Sequence, residues 1–327
     1  MRKDGRDFFM KAVILDACTT NPGDLSWDWL KKYVSSYKVY DFTKPDEIEA
    51  RAGDCEIVIT NKTRLHKKEL DRLTSTVYIG LLSTGYDAVD AVYARSLDIS
   101  VANIPSYSTD GVAQMTFALL LEHTNRVALH DAAVKSGEWG RNGNFCFWKT
   151  SLTELSGKTF GIIGFGKIGA AVAKIAEAFG MKVIANTANP DRYLNSGVEF
   201  LTIDDMLPRC DYVSLHVPHS DTTDKMVDSS FLSKMKPSAF LINTSRGAVV
   251  DEKALRAALD SGIIAGAGVD VLSSEPPADD NPIAFCDKCI VTPHISWAAF
   301  ETRKRLIKIC EENINAFLKG NPINLVN

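Results

Sequence analysis

Lys158-Thr-Phe-Gly-Ile-Ile-Gly-Phe-Gly-Lys-Ile-Gly169 decides the fold. The apolar run from Thr159 to Ile163 reads as a buried strand, and it breaks into Gly164-x-Gly166-x-x-Gly169. A 3.6-residue periodicity then puts Ile168, Ala171, Val172, Ile175, Ala176 and Phe179 on one helical face. Gly180 stops that helix, and Met181-Lys-Val-Ile-Ala185 reads as the next strand. Strand, glycine turn, helix and strand follow one another in the order that gives the glycine pattern a meaning.

Each glycine has a physical reason. Gly164 makes a tight turn, Gly166 lets the backbone approach a pyrophosphate, and Gly169 lets helix and strand pack closely. The helix start adds N–H groups and partial positive charge. Gly164, Phe165, Gly166, Lys167, Ile168 and Gly169 are therefore the expected dinucleotide-binding turn. An NAD-specific site usually carries an acid at the end of the second strand, on the ribose hydroxyls. Here that region reads Ile184-Ala-Asn-Thr-Ala-Asn-Pro190, with neutral Asn186 and Thr187 at the expected positions. No carboxylate repels a 2′-phosphate, yet the first basic residue, Arg192, comes later than a phosphate clamp usually does. NAD(H) and NADP(H) both stay open.

The chain has 327 residues, 45% apolar and 24% charged, which suits a globular protein of two domains. A net charge of −4 gives no basic field for nucleic acid or anionic membrane. No apolar run reaches the roughly 20 residues of a membrane span. The charged start, residues 1–9, lacks a signal-peptide core and reads either as an extension or as an upstream start ahead of a fold beginning near Met10. Seven scattered cysteines suit reduced thiols in a cytoplasm. Cys286-Asp-Lys-Cys289 has no second pair, so no metal or redox site is expected there.

Lys11–Leu15, Cys55–Thr60, Val77–Leu82 and Ile99–Asn103 read as strands, with amphipathic helical stretches around 25–35, 67–73 and 87–96. Repeated βα units predict a parallel, doubly wound sheet without a cofactor fingerprint. Ser83-Thr84-Gly85 follows a strand and reads either as an ordinary βα turn or as a nest of backbone amides that holds a carboxylate. Ile104–Asp110 reads as a hinge into a long helix capped by Thr109 or Asp110, and the loop 136–156 carries Trp139, Phe145, Phe147 and Trp148. Further strands lead to His216-Val217-Pro218, to Thr244-Ser-Arg246, to Asp270 and Glu275, and to His294, before a closing helix over 298–318.

Arg246, Asp270, Glu275 and His294 thus share the carboxyl edge of one predicted sheet. Singly, each has a structural explanation. Together they suit a 2-hydroxy acid: an Arg holds a carboxylate and polarises a carbonyl, a His moves the hydroxyl proton, and a Glu orients the His.

The ordered stretches Gly161–Gly169, Leu215-His-Val-Pro218, Ile242–Glu252, Gly268–Pro276 and Thr292-Pro-His-Ile-Ser-Trp297 resemble the D-isomer-specific 2-hydroxyacid dehydrogenases. Within them the closest likeness is to the glycerate dehydrogenase/hydroxypyruvate reductase group, through Ile295-Ser-Trp297, Val112-Ala-Gln114 and Trp148. The resemblance implies Arg246, Glu275 and His294 as catalytic residues, with Ser83, Thr84, Gly85 and Arg246 on the substrate. It implies cofactor contacts from Thr109, Thr244, Asp270 and His216–Pro218, with Asp270 on the nicotinamide carboxamide. It also implies two α/β domains with the site in the cleft. These are a Rossmann domain over 105–297 and a flavodoxin-like substrate domain from 1–104 and 298–327, with no regulatory C-terminal domain. A cytoplasmic homodimer is expected, with Trp148 of one subunit closing the other's site. The implied substrate is hydroxypyruvate/glycerate or glyoxylate/glycolate. D-lactate or another D-2-hydroxy acid is the alternative, and a nicotinamide-sensing corepressor is the alternative of another class.

Overall fold

A computed structural model describes residues 10–327, so the reading of residues 1–9 as an extension or an upstream start lies outside the described residues. The chain divides into two units. One holds the chain up to Tyr107 together with Ala298–Asn327, and the other holds Ser108–Trp297.

In the first unit β1 (Lys11–Ile14), β2 (Ser36–Val39), β3 (Ile57–Thr60), β4 (Tyr78–Leu81) and β5 (Ser100–Ala102) form one sheet in the order β2-β1-β3-β4-β5. Every pairing is parallel. β3 and β4 are buried at every position, as expected for apolar runs covered on both faces. The amphipathic helix expected around 25–35 is instead one short 3-10 segment, Asp28–Lys32. Pro22-Gly23 on one side and β2 on the other leave little room, and Trp29 packs its ring on Trp27 and Tyr33. β2 itself was not foreseen, because Ser-Tyr-Lys-Val is a largely exposed edge without an apolar run. The helix Phe300–Leu318 returns to this unit: Arg303 grips Asp24 through two bonds of 2.6 Å, and Asn313 Nδ2 donates to Asn103 O at 2.9 Å.

Buried Asp16, just past β1, organises the neighbouring loop. Its carboxylate accepts from the backbone N–H groups of Asn61, Lys62 and Thr63 at 2.6–2.9 Å and from the Thr60 and Thr63 hydroxyls. A buried charge is tolerated when donors saturate it in this way.

The second unit carries β6 (Thr159–Ile163), β7 (Lys182–Asn186), β8 (Glu199–Phe200), β9 (Tyr212–Leu215), β10 (Phe240–Asn243), β11 (Gly266–Val269) and β12 (Cys289–Val291). Their order is β12-β11-β10-β9-β6-β7-β8, again all parallel. The order reverses between β6 and β9, which makes that edge the ligand-binding crevice of such a sheet. The helix Lys167–Ala178 follows β6. The long helix Thr109–Asn125 packs against it, and Phe117 stacks between Phe160 and Phe179 with ring centroids 5.7 and 5.4 Å away. Its N-cap is Ser108, without a side-chain capping bond, so neither Thr109 nor Asp110 caps it. Both already lie inside the first turn.

Asp16→Asn is expected to loosen the loop after β3, since a hydrogen bond to a charged group contributes about 1.5–3 kcal/mol. Amide hydrogen exchange across residues 60–64 checks this: acceleration of at least about tenfold is expected from a loss of that size, and unchanged exchange would mean the carboxylate does not hold the loop.

Candidate active site

The glycine turn fits a dinucleotide. Gly164 has φ +93°, and a Cβ there would lie 2.4 Å from the carbonyl oxygen of His216. A Cβ on Gly169 would lie 2.3 Å from Gly164 O. Both positions therefore require glycine, for conformation and for close packing. Gly166 differs, because its Cβ would meet nothing within 4 Å and would project into open space. Gly166 is also the N-cap of the Lys167–Ala178 helix, so no side chain stands between that N-terminus and an anion. Phe165, by contrast, turns its ring inward. It is buried edge-on against Tyr193 and Phe200, with centroids 5.1 and 5.2 Å away, so only its backbone faces the turn. Ile168 is partly buried against the same core.

Asn186 ends β7, and its Nδ2 donates to Leu201 O at 2.8 Å. Thr187 follows it, half-buried. Across the crevice His216 shares a 2.9 Å hydrogen bond with the Ser214 hydroxyl, and burial pushes its imidazole down to about 3. The ring is neutral at physiological pH. Val217 lies against Gly164, and Pro218 is exposed. Thr244 is buried and its hydroxyl meets that of Thr116, from the long helix, at 3.3 Å. Thr109 opens that helix.

The turn after β10 positions Arg246. Buried Asn243 holds it: Oδ1 accepts from Ser245 N at 3.0 Å and from Ser245 Oγ at 2.8 Å, and Nδ2 donates to Arg246 O at 2.9 Å. A Cβ on Gly247 would lie 2.0 Å from the backbone carbon of Leu272, so the Arg246 turn packs directly on the segment leading to Glu275. The Arg246 side chain is exposed and donates from Nη1 to Ser245 O at 2.8 Å. Asn243 and Gly247 were not singled out from sequence, although a buried Asn closing an apolar strand was the available signal.

His294 and Glu275 come together. Nδ1 of His294 lies 2.6 Å from Glu275 Oε2, and the other Glu275 oxygen accepts from Leu272 N at 3.1 Å. An ionised Glu accepts, so Nδ1 carries the proton and Nε2 faces away from the pair. His294 has φ +53° in a segment without regular structure. Asp270 is 1% exposed, and its carboxylate accepts from Thr292, Ile295 and Ser296. Cys286 and Cys289 are buried free thiols, and burial pushes Cys289 up to about 12, which keeps it protonated.

In the first unit Ser83 Oγ donates to Gly85 O at 2.6 Å and Thr84 Oγ1 to Ile104 O at 2.8 Å. The hydroxyls are thus spent within the loop, while the amides of Ser83, Thr84 and Gly85 find no acceptor among the described residues. Trp148 is 66% and Phe145 94% exposed on the loop that follows the Glu138–Asn142 helix.

Residues 117–296 match the family described as D-isomer specific 2-hydroxyacid dehydrogenase, NAD binding domain. A hydroxypyruvate reductase of Blautia hydrogenotrophica is 43% identical over 322 residues, 97% of this chain and 100% of that one. A glycerate dehydrogenase of Methylorubrum extorquens is 37% identical over 89% of this chain and 91% of its own length. Among solved structures, an acyclic imino acid reductase in complex with NADPH and D-Arg superposes with a TM-score of 0.83 at 31% identity, covering 97% of this chain and 100% of that one. An NADPH-dependent glyoxylate/hydroxypyruvate reductase of Sinorhizobium meliloti, in complex with NADP and malonate, gives 0.81 at 28% identity, covering 97% of each chain.

The neutral His216 makes stability depend on pH. The unfolded chain binds a proton near pH 6.5 that the folded imidazole refuses until about 3. Its contribution is present above pH 6.5 and declines as pH falls toward 3. Urea unfolding at pH 7 and pH 5 should show His216→Gln losing about 1–2 kcal/mol less than wild type across that interval. Equal losses would mean the imidazole is not held neutral.

Proposed function

The chain belongs to the D-isomer specific 2-hydroxyacid dehydrogenase family, oxidoreductases with an NAD-binding domain, and on that premise we propose that it reduces small 2-keto acids to D-2-hydroxy acids. Hydroxypyruvate and glyoxylate are the proposed substrates, with glycerate and glycolate as products. The observation that carries the reading is the His294–Glu275 pair at 2.6 Å, on the same sheet edge as the Arg246 turn and in the unit that bears the glycine turn. A relative named hydroxypyruvate reductase at 43% identity supports the choice of substrate.

A reduced nicotinamide, when bound, supplies a hydride to C2 of the keto acid. Arg246 polarises the C2 carbonyl and pairs with the carboxylate. The amides of Ser83–Gly85 are the proposed carboxylate nest of the substrate domain. His294 delivers the proton from Nε2 to the oxygen as it becomes a hydroxyl, while Glu275 holds Nδ1–H and stabilises the imidazolium that donates. The chain up to Tyr107 with Ala298–Asn327 is the substrate domain, and Ser108–Trp297 is the dinucleotide domain. The cofactor is held by the 164–169 turn, Thr109, Asn186, Thr187, His216–Pro218, Thr244 and the segment around Asp270. The exposed Phe145 and Trp148 support a homodimer in which Trp148 reaches the partner's site. Among the described residues no helix is long and apolar enough to cross a membrane. The scattered free thiols support a cytoplasmic location.

Mixing purified protein with hydroxypyruvate and NADH or NADPH should oxidise the cofactor. His294→Ala should lower kcat by about 10²–10⁴-fold and leave the NADH Kd unchanged. Full turnover in that variant would remove His294 from the mechanism. Tight cofactor binding without oxidation across a panel of 2-keto acids, D-lactate's pyruvate included, would favour the sensing alternative.

The neutral end of β7 supports acceptance of both cofactors. Thr187→Asp should weaken NADPH binding by about tenfold or more through repulsion of the 2′-phosphate, with NADH affinity within about threefold, read by fluorescence titration. An equal change for both cofactors would show that position 187 does not face the ribose.

A further inference from the structure

We propose that His130 is a positioning residue for Trp148: with Glu138 it clasps Lys149, and so holds the span 145–148 with the indole projecting outward to enter the partner's site. The inference rests on the reading of Trp148 as a residue that reaches that site, and it names what puts the indole there.

His130 lies in the helix Val127–Lys135, one turn after Arg126, whose left-handed φ of +48° separates that helix from the long one before it. Its two ring nitrogens meet partners of opposite kind. Nδ1 lies 2.7 Å from the Arg126 carbonyl oxygen, which can only accept, so Nδ1 carries the proton and donates. That leaves Nε2 as an acceptor, and it takes the backbone N–H of Lys149 at 3.1 Å, 19 residues further on. The Lys149 ammonium meets Glu138 Oε2 at 2.7 Å. Lys149 is thus held through its main chain and through its side chain. The main-chain bond carries more of the hold, since a half-exposed ion pair contributes little.

A second anchor lies upstream, where the indole Nε1 of Trp139 donates to Asn144 O at 3.1 Å. Between Asn144 and Lys149 hangs the short span Phe145-Cys-Phe-Trp148. Phe145 and Trp148 are exposed, and Phe147 is half-buried. Trp139 spends its N–H inside the loop, whereas the Trp148 indole has no hydrogen bond and no ring contact among the described residues. A loop free to rearrange would fold such a ring against its own surface, because removing apolar area from water is favourable. Here the residue next to Trp148 is tied down at both its ends, backbone and ammonium, and the ring stays outward. A side chain held in place beforehand pays less of the ordering cost of association. Large aromatic anchors of this kind carry much of the energy where one protein surface fills a pocket of another.

The test is a double-mutant cycle with two readouts. His130→Ala removes the imidazole, Trp148→Ala removes the indole, and the double variant removes both. Alanine suits the helical position of His130, so melting temperatures should stay near wild type. The first readout is hydrogen exchange at the Lys149 amide, which needs no substrate. The second is KM and kcat for hydroxypyruvate at saturating NADH. Positioning predicts that His130→Ala speeds the exchange about fivefold or more, the size of one lost hydrogen bond. Trp148→Ala should raise KM about tenfold, as loss of an aromatic anchor does, and His130→Ala should raise it about fivefold through the displaced indole. In both, kcat moves less than KM. The double variant should match Trp148→Ala alone, because a residue that acts through the indole has nothing left to act on. Unchanged exchange in His130→Ala overturns the clasp. KM losses that multiply in the double variant overturn the proposal as well, since His130 would then act by a route that bypasses Trp148. Should His130→Ala not fold, His130→Leu keeps the bulk without the acceptor and is read in the same way. Unchanged KM in Trp148→Ala, with exchange still faster in His130→Ala, would sink the placing of Trp148 at the partner's site and uphold the clasp. For a protein that turns over no 2-keto acid the proposed reaction fails, and the exchange readout decides the clasp by itself.

Discussion

The approach of Gly164 to the carbonyl of His216 is the constraint on which the dinucleotide-binding unit depends. A side chain at Gly164 would lie 2.4 Å from that oxygen, so the loops after β6 and β9 touch backbone to backbone. This is the point at which the strand order reverses. The two loops diverge beyond it, and the crevice opens where parallel strands present their carboxyl ends. With every strand parallel, each strand of the unit delivers its following loop to the same edge. Residues far apart in the chain (Arg246, Glu275, His294) reach one edge for this reason alone. The shared edge follows from the parallel topology, and the close approach of its two central loops is possible only because Gly164 carries no Cβ.

Both units handle buried charge in the same way. Asp16 follows β1 and gathers the N–H groups of Asn61, Lys62 and Thr63, and Asp270 follows β11 and gathers those of Ile295 and Ser296. In each case a carboxylate at the end of a strand takes its donors from the loop after a neighbouring strand. β3 pairs with β1 in one unit, and β12 with β11 in the other. An unpaired carboxylate there would be intolerable, and a saturated one turns a flexible connection into a fixed one. Fixed connections at the carboxyl edge are what a reaction needs, because a proton donor displaced by about 1 Å loses much of its effect.

Much of this was legible from residue patterns because the signals were local. β6 runs from Thr159 to Ile163 as its apolar run indicates, and the turn and helix that follow obey the glycine spacing. Arg246, Glu275 and His294 could be placed on one edge because each follows an apolar strand. What was not legible depended on non-local partners. The stretch around 25–35 has helical character, but it is squeezed between a Pro-Gly turn and an edge strand that carries no apolar signal. Phe165 sits in the middle of the glycine turn, and only the distant Tyr193 and Phe200 determine that its ring goes into the core. Asn243 and Gly247 gain their importance from Ser245 and Leu272, and no periodicity reports such contacts.

The end of β7 shows how a general rule about ribose recognition can be set aside by local packing. Asn186 stands at the end of the strand, but its amide donor is committed to Leu201 O and ties β7 to the segment after β8. It serves the sheet before it can serve a ligand. Past Thr187 the chain enters the 3-10 turn Pro190–Tyr193, and Tyr193 rests its ring on Phe165 and Phe200. That aromatic contact fixes the turn against the glycine loop. Asn186 and Thr187, both neutral, carry no charge that would repel a ribose phosphate. The absence of the usual acid is therefore compatible with a dinucleotide site, because the helix N-terminus and the bare Gly166 leave open backbone at the turn, the kind of place that receives a pyrophosphate.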